Sequence, residues 1–427
     1  MRDKDTIASL PDLDDMLHSL LLIEEGEHEF ASEDEDIQEL RQLFFPVTRH
    51  TVYLNHASRG PLPAPVARTL HEYTEDNSNM GGIHGARWKE YCNGAHRRLA
   101  GLLHARPDQL AFTASTGDSL MLIAQGLDWQ AGDTIVVAEG EFPCNVYSWL
   151  NLQEQGVQVQ IVPAREGRIA VEDVLACIDE NKRTRLVSLS LVGFSTGFRQ
   201  DIQSIAAHCR QRGIICGVDA MQALGVLEVN VQQLEVDFLA AAVHKWLLSP
   251  HTSGILYVTD ELLARLQTRR RGWFSVEEPM DFFNYQQPLK AGAARFEHST
   301  PNELVIVGLD AALGVFECID GGMAAIEQRV LGLTSYAIAG LERLGYPVIS
   351  PQGEGERSGI VCFLPHPQLQ DLTAQQMADE LMTRNIFVAA RGAALRISPH
   401  FYNVPGEIDT LLNALEELKQ PPAQSEG

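Results

Sequence analysis

The run Gly217-Val218-Asp219-Ala220-Met221-Gln222-Ala223-Leu224-Gly225, followed by His244-Lys245-Trp246-Leu247, decides how this sequence folds. Each half ends an apolar, β-rich run, Ile214 to Val218 and Asp237 to Ala242, with polar residues: Asp219 and Gln222 after the first, His244 and Lys245 after the second. Working outward, four more runs read as strands: Thr134 to Ala138, Val157 to Val162, Leu186 to Leu191 and Ile255 to Val258. Between them Ser119 to Leu127, Asn145 to Glu154 and Ile202 to Arg212 carry apolar residues at helical spacing. This alternation, from about Pro107 to Val258, predicts an α/β fold with a mainly parallel sheet covered by helices. In such sheets ligands sit at the carboxyl ends of the strands, where Asp219, Gln222, His244 and Lys245 fall.

A second pattern begins after Gly321. A long helical stretch, Met323 to Leu344, leads to short strands near Val348 and at Ile360 to Phe363; helices Ala374 to Thr383 and Gly406 to Leu418 bracket an apolar run at Ile386 to Ala389. This predicts a small α+β domain. The expected division is an acidic extension over 1–45, a large domain over 46–320, the small domain over 321–419 and a polar tail over 420–427. Tyr53 to Pro63 is expected to pack between the two domains and make the small one discontinuous.

Composition narrows the partners. With 427 residues, 45% of them hydrophobic, the chain can bury one large core and a smaller one. A formal net charge of −24 repels nucleic-acid phosphates and anionic lipid, so neither polyanion is an expected partner. No run of about 18 apolar residues occurs, and the start is acidic where a secretory signal would be basic then apolar, so the expected location is cytoplasmic. Much of the charge lies early, around the apolar stretch Met16 to Ile23, which reads as a solvated extension with one short helix or as a partner-docking arm. The seven cysteines are scattered, form no metal-ligand spacing, and read as reduced, mostly buried thiols; no metal is expected.

The chemistry centres on Lys245. An ammonium beside a buried strand end is costly; converting it to an imine with an aldehyde cofactor removes the charge and creates an electrophile. A carboxylate beside a pyridine nitrogen keeps that ring protonated and able to accept electrons, and Asp219 is the candidate. Taken singly, Lys245 also reads as a solvated strand-end lysine and Asp219 as a helix cap.

Together, the two quoted halves resemble the core of the class V aminotransferases, a superfamily that includes cysteine desulfurases, kynureninases and isopenicillin N epimerase-like enzymes. The resemblance covers roughly Tyr53 to Leu415. It implies the pyridoxal 5'-phosphate fold type I: a large domain with a seven-stranded type of sheet plus a small α+β domain. By that resemblance Lys245 carries the cofactor as a Schiff base, Asp219 pairs with the pyridinium nitrogen and Gln222 bonds the phenolic oxygen. Ser115-Thr116-Gly117-Asp118-Ser119 opens a predicted helix, where free N–H groups favour an anion, although such starts are also simple caps. In register with the family, Thr116 and the Gly117 amide become the phosphate cup, with His244 nearby. Phe142, in Glu141-Phe142-Pro143-Cys144, would stack on the ring; read alone it is a core residue.

The same resemblance reaches both ends of the site. Arg295-Phe296-Glu297-His298-Ser299-Thr300-Pro301-Asn302 is similar to a segment whose threonine reaches the phosphate across a subunit interface, so Thr300 implies a homodimer with shared sites. Leu395-Arg396-Ile397-Ser398 resembles the segment whose arginine holds a substrate carboxylate, a bidentate task that suits guanidinium. Arg396 is assigned that role, with Arg391 as a second candidate or a structural residue. Asn55-His56-Ala57-Ser58 resembles the segment lining the substrate side, Asn55 through its backbone.

Three departures bear on the reaction. Val388 to Leu395 is compact and lacks the nucleophilic cysteine of desulfurase loops, which argues against persulfide chemistry. Ala241-Ala242-Val243 replaces a phosphate-binding serine, and Phe194 stands where desulfurases carry asparagine; Leu191 to Gln200 is more similar to kynureninase and epimerase relatives. The expected activity is an amino-acid-processing enzyme of aminotransferase type, in which the Lys245 amine removes the α-proton. Carbon–sulfur β-elimination and epimerisation share that step and stay open. A noncatalytic binding protein on the same scaffold is the alternative from another class. The absence of a GxGxxG turn between strand and helix argues against a nicotinamide enzyme.

Overall fold

The computed structural model describes residues 31–369 and 371–419. The Met16 to Ile23 stretch and the polar tail lie outside the described residues. The main sheet has seven strands: β2 (Leu110–Thr113), β3 (Thr134–Ala138), β4 (Gln158–Val162), β5 (Thr184–Ser190), β6 (Ile215–Asp219), β7 (Phe238–Ala242) and β8 (Gly254–Val258), after a two-residue β1 (Val52–Tyr53) that belongs elsewhere. Their order is β2-β8-β7-β6-β5-β3-β4. Every neighbouring pair from β7 to β4 is parallel. β8 runs antiparallel to β7, and β2 antiparallel to β8. β2 therefore points the same way as β7, and the carboxyl ends of β2, β3, β5, β6 and β7 share one edge.

Strand residues alternate between two buried layers, because successive side chains point to opposite faces. Val136, Val187 and Leu239 join one cluster, while Ile135, Val137, Leu186 and Ala240 join the other. Burial on both faces explains why these strands read as continuous apolar runs. Each fully buried Val, Leu or Ile contributes roughly 1.5–3 kcal/mol. β2, absent from the strands read in the sequence, lies at the sheet edge, and its four residues are too few to show a period.

A third cluster forms the core of the small unit. It joins the helix Gly322–Arg343 and the helix Pro405–Leu418 to the antiparallel strands β9 (Val361–Phe363), β11 (Ala389–Arg391) and β12 (Ala394–Ile397). β1 pairs in parallel with β10 (Ile386–Phe387), so Leu54 is buried in this third cluster, while Ala57 lies in the first. Gly60 then passes so close to the turn after β7 that a Cβ there would sit 2.2 Å from the Lys245 carbonyl oxygen. Only glycine fits, and the strap Asn55 to Gly60 is thereby held against Lys245.

The acidic extension expected over 1–45 is packed on the core at its end. The helix Ala31–Phe44 carries Leu40 and Phe44 into the core, Phe45 stacks on Tyr402 at 3.8 Å, and Arg41 pairs with Glu407 at 2.9 Å. The acidic composition hid three apolar anchors that need the far C-terminal segment to be buried.

Candidate active site

The shared carboxyl edge opens on a cavity of about 360 Å³, within the range of small-molecule and cofactor sites. Each strand end contributes to its lining: Ser115, Thr116 and Gly117 follow β2, Phe142 and Cys144 follow β3, Ser190 ends β5, Asp219 ends β6, and His244 and Lys245 follow β7. Seven of the residues singled out in the sequence, Thr116, Gly117, Phe142, Asp219, Gln222, His244 and Lys245, are thus brought together.

Asp219 is 3% exposed and makes no ion pair among the described residues. Its Oδ1 accepts the Met221 amide at 2.9 Å, and burial raises its pKa, so the site offers a carboxylate lacking a cationic hydrogen-bond partner. Lys245 is held down to about 8, first by burial, with Asp219 opposing and the Arg396 charge adding to the drop. Gln222 donates to the Ala57 carbonyl at 3.0 Å and accepts from the Trp246 indole at 3.0 Å. One amide N–H of Gln222 is left for a ligand. Its position is therefore set by the Asn55 to Gly60 strap and by the residue after the lysine.

Ser115 caps the helix Thr116–Gly126, accepting the Asp118 amide at 3.1 Å, so the capping reading holds for Ser115. Thr116 and Gly117 take the first helical turn, where amides point outward. His244 stacks on His251, ring centroids 4.2 Å apart, and its buried Nδ1 has no hydrogen-bond partner. Burial first, then the neighbouring His251, Lys245 and Arg59, hold His244 down to about 4. Phe142 is 46% exposed, which removes the core reading; its ring centroid is 5.6 Å from the Lys245 Nζ, and Phe194 meets it edge-on.

The substrate-side candidates Arg396, Arg391 and Asn55 do not line this cavity; Arg396 reaches its wall through Phe194. Arg396, 1% exposed, donates to the Phe194 carbonyl at 2.8 Å and to the Ser58 hydroxyl at 2.7 Å, and its Nε is buried without a partner. Arg391 donates to the same Ser58 oxygen at 2.8 Å. Neither arginine pairs with a carboxylate among the described residues. Asn55 bridges in parallel to Ser398 through its backbone, and its Oδ1 is buried without a partner. His56 is structural: its ring joins the Ser398 carbonyl and the Tyr402 hydroxyl. Thr300 lies on an exposed irregular segment outside this chain's own cavity.

The sequence reading missed Ser58, His251, Cys144 and Glu141 as site residues. Cys144 lies 3.8 Å from Asp219 Oδ2, and burial pushes its thiol up to about 12. Glu141, lifted by burial to about 7, accepts both the amide and the hydroxyl of Ser190. Adjacency to Phe142 was the available signal for Glu141 and Cys144; nothing local marks His251.

The aminotransferase class-V model matches residues 52–410. The chain belongs to the class V aminotransferase family. A probable cysteine desulfurase of Methanothermobacter thermautotrophicus is 29% identical over 407 residues, covering 87% of this chain and 96% of the relative. The apo structure of cysteine desulfurase from Thermococcus onnurineus NA1 superposes with a TM-score of 0.80 at 26% identity, covering 89% of this chain and 97% of that one. A K223A mutant of C-DES, with glycine covalently linked to its pyridoxal phosphate, shares the fold with a TM-score of 0.80 at 22% identity over 88% and 99% of the two chains. This family member is a pyridoxal-phosphate-dependent enzyme of fold type I. The residues present fit the cofactor: an amine near neutrality, an unpaired buried carboxylate, an orphaned imidazole nitrogen and a helix start all face one cavity. Among the described residues no helix is long and apolar enough to cross a membrane, and no cluster could hold a metal ion.

The lowered Lys245 pKa has a testable sign. The neutral amine attacks an aldehyde and the ammonium does not, so capture of pyridoxal phosphate by the apo-protein should accelerate with pH through about 8. It should level off near pH 9. Borohydride trapping at a series of pH values measures it, and a rise centred near 10.5, the ordinary lysine value, would contradict the assigned environment.

Proposed function

We propose that this enzyme cleaves the carbon–sulfur bond of a cysteine-type amino acid by β-elimination, without a protein persulfide. The observation that carries the reading is Lys245, which shares one cavity with buried Asp219 and whose amine is held down to about 8 by burial, with the charges of Arg396 and Arg391, two guanidiniums that lack acid partners among the described residues, adding to the drop. Relatives named as cysteine desulfurases support carbon–sulfur cleavage over the transamination expected first from the sequence.

When bound, pyridoxal phosphate supplies an electron sink for a carbanion at the substrate α-carbon. Thr116, the Gly117 amide and His244 would hold its phosphate, Phe142 would stack on its ring, Asp219 would hold the ring-nitrogen proton, and Gln222 would donate to the phenolic oxygen. Arg396 would fix the substrate carboxylate. The Lys245 amine would take the α-proton; the Cβ–S bond then breaks with its electron pair leaving on sulfur, which takes up a proton. Hydrolysis of the remaining three-carbon fragment gives pyruvate and ammonia.

Persulfide transfer needs a thiolate on a mobile segment. Here β11 and β12 are joined by Gly392-Ala393 alone, Gly392 taking φ of 58°, and no cysteine lies in that hairpin. Cys144 lines the cavity but burial keeps it protonated. Incubation with L-cysteine should therefore release sulfide and pyruvate in equal amounts. A keto acid that retains the sulfur would favour transamination and overturn the proposal.

The active unit is proposed to be a homodimer in which Thr300 reaches the partner subunit's cofactor. Its exposure outside its own chain's cavity supports that role. Light scattering during assay should find a dimer, with Thr300→Ala weakening retention of the cofactor. A fully active monomer would overturn this arrangement.

A further inference from the structure

Resting on the amino-acid reading above, we infer that Arg391 and Arg396 form a two-anion site, so the preferred substrate carries a second anionic group beyond its α-carboxylate. Both guanidiniums converge on one atom, the Ser58 Oγ, at 2.8 and 2.7 Å. Two like charges drawn onto one hydroxyl repel each other, and opposite charge brought from outside relieves that repulsion most where solvent is excluded, as at Arg396. The protein supplies none: neither arginine has a carboxylate partner among the described residues, in a chain with 57 acidic residues available.

The donor count points the same way. A guanidinium has five N–H donors. Arg396 uses its contacts on Phe194 and Ser58, leaving Nε buried without a partner, and Arg391 uses its own on Ala390 and Ser58. Ser58 accepts from both, so its own hydroxyl proton is free to donate. One carboxylate satisfies one fork. It leaves the second guanidinium uncompensated beside Lys245, whose pKa both arginines depress.

The two arginines differ in setting, which assigns their roles. Arg396 is buried against the Phe194 carbonyl at the cavity wall and suits the invariant α-carboxylate. Arg391 ends β11 beside the Gly392-Ala393 turn, is only half-buried, and suits the variable side-chain anion. The ligand class is a short α-amino acid whose side chain carries, beyond the Cβ–S bond, an anion such as a carboxylate or an oxidised-sulfur group, and L-aspartate serves as its unreactive mimic in binding.

Calorimetric titration of the holoenzyme with L-aspartate and L-alanine tests this, with succinate and propionate as unreactive probes. The wild type should bind the dianionic member of each pair about tenfold more tightly or better. Arg391→Gln should weaken L-aspartate by about 10- to 30-fold, the range of a partly exposed charge-assisted contact, and L-alanine by less than about threefold. Arg391→Lys keeps the charge and should retain most of the preference, which decides the matter should the glutamine variant lose its cofactor. Equal affinity of the wild type for both amino acids, or equal losses for both in the variants, overturns this inference alone. Failure of the wild type to bind either amino acid overturns the amino-acid reading as well.

Discussion

Lys245→Ala is expected to abolish the borohydride-reducible linkage to pyridoxal phosphate and to lower turnover by about 10²- to 10⁴-fold, the contribution of a positioned acid–base group. The loss comes from two jobs held by one amine. Its carbon stem ends at the strand edge between Asp219 and the Phe142 ring, where burial has brought its pKa to about 8, so the neutral form is available near physiological pH. Among the described residues no other lysine lines the cavity. The variant should stay folded, because removing a largely buried ammonium relieves a desolvation cost, and the apo-protein should melt no lower than the wild type. Mass spectrometry after reduction reads the first effect and product assay the second. An adduct on a different lysine would overturn the assignment, whereas a large fall in melting temperature would mark Lys245 as structural.

What was legible in the sequence follows from how far each signal travels along the chain. Strands β3, β5, β6, β7 and β8 are buried on both faces, so each announces itself locally as an apolar run, and the polar residues after β6 and β7 stand out against it. The parallel order then brings Asp219 and Lys245 to one edge. β2 escaped because four residues at a sheet edge carry no period, and the Leu40 to Phe45 anchors escaped because their partners, Tyr402 and Glu407, lie more than 350 residues away. Remoteness also hid Ser58, whose partners lie 333 and 338 residues away and which acquires its role only when β1 pairs with β10 and brings the following strap to Arg391 and Arg396. His251 has no local mark at all: its stacking on His244 depends on the turn between β7 and β8. Strand ends can therefore be read from periodicity, while the residues that orient them are set by pairings remote in sequence.

Arg396→Lys should cost about 1.5–3 kcal/mol of transition-state binding for carboxylate-bearing substrates, the range for a hydrogen bond to a charged group. That is roughly a 10- to 150-fold drop in kcat/KM. The charge is conserved, so the loss isolates the planar fork, which lysine cannot reproduce. In the wild type that fork is fixed by the Phe194 carbonyl and the Ser58 hydroxyl, with Nε unpartnered and burial holding the group down to about 10. A lysine here would lose at least one of those two anchors and present a mobile point charge instead. Cofactor retention should be unchanged, because the Arg396 side chain bonds neither the Thr116–Gly117 helix start nor Gln222. An amine lacking a carboxylate is the control: equal loss with it would make Arg396 a structural residue. Unchanged kinetics with amino acids would move the α-carboxylate to Arg391.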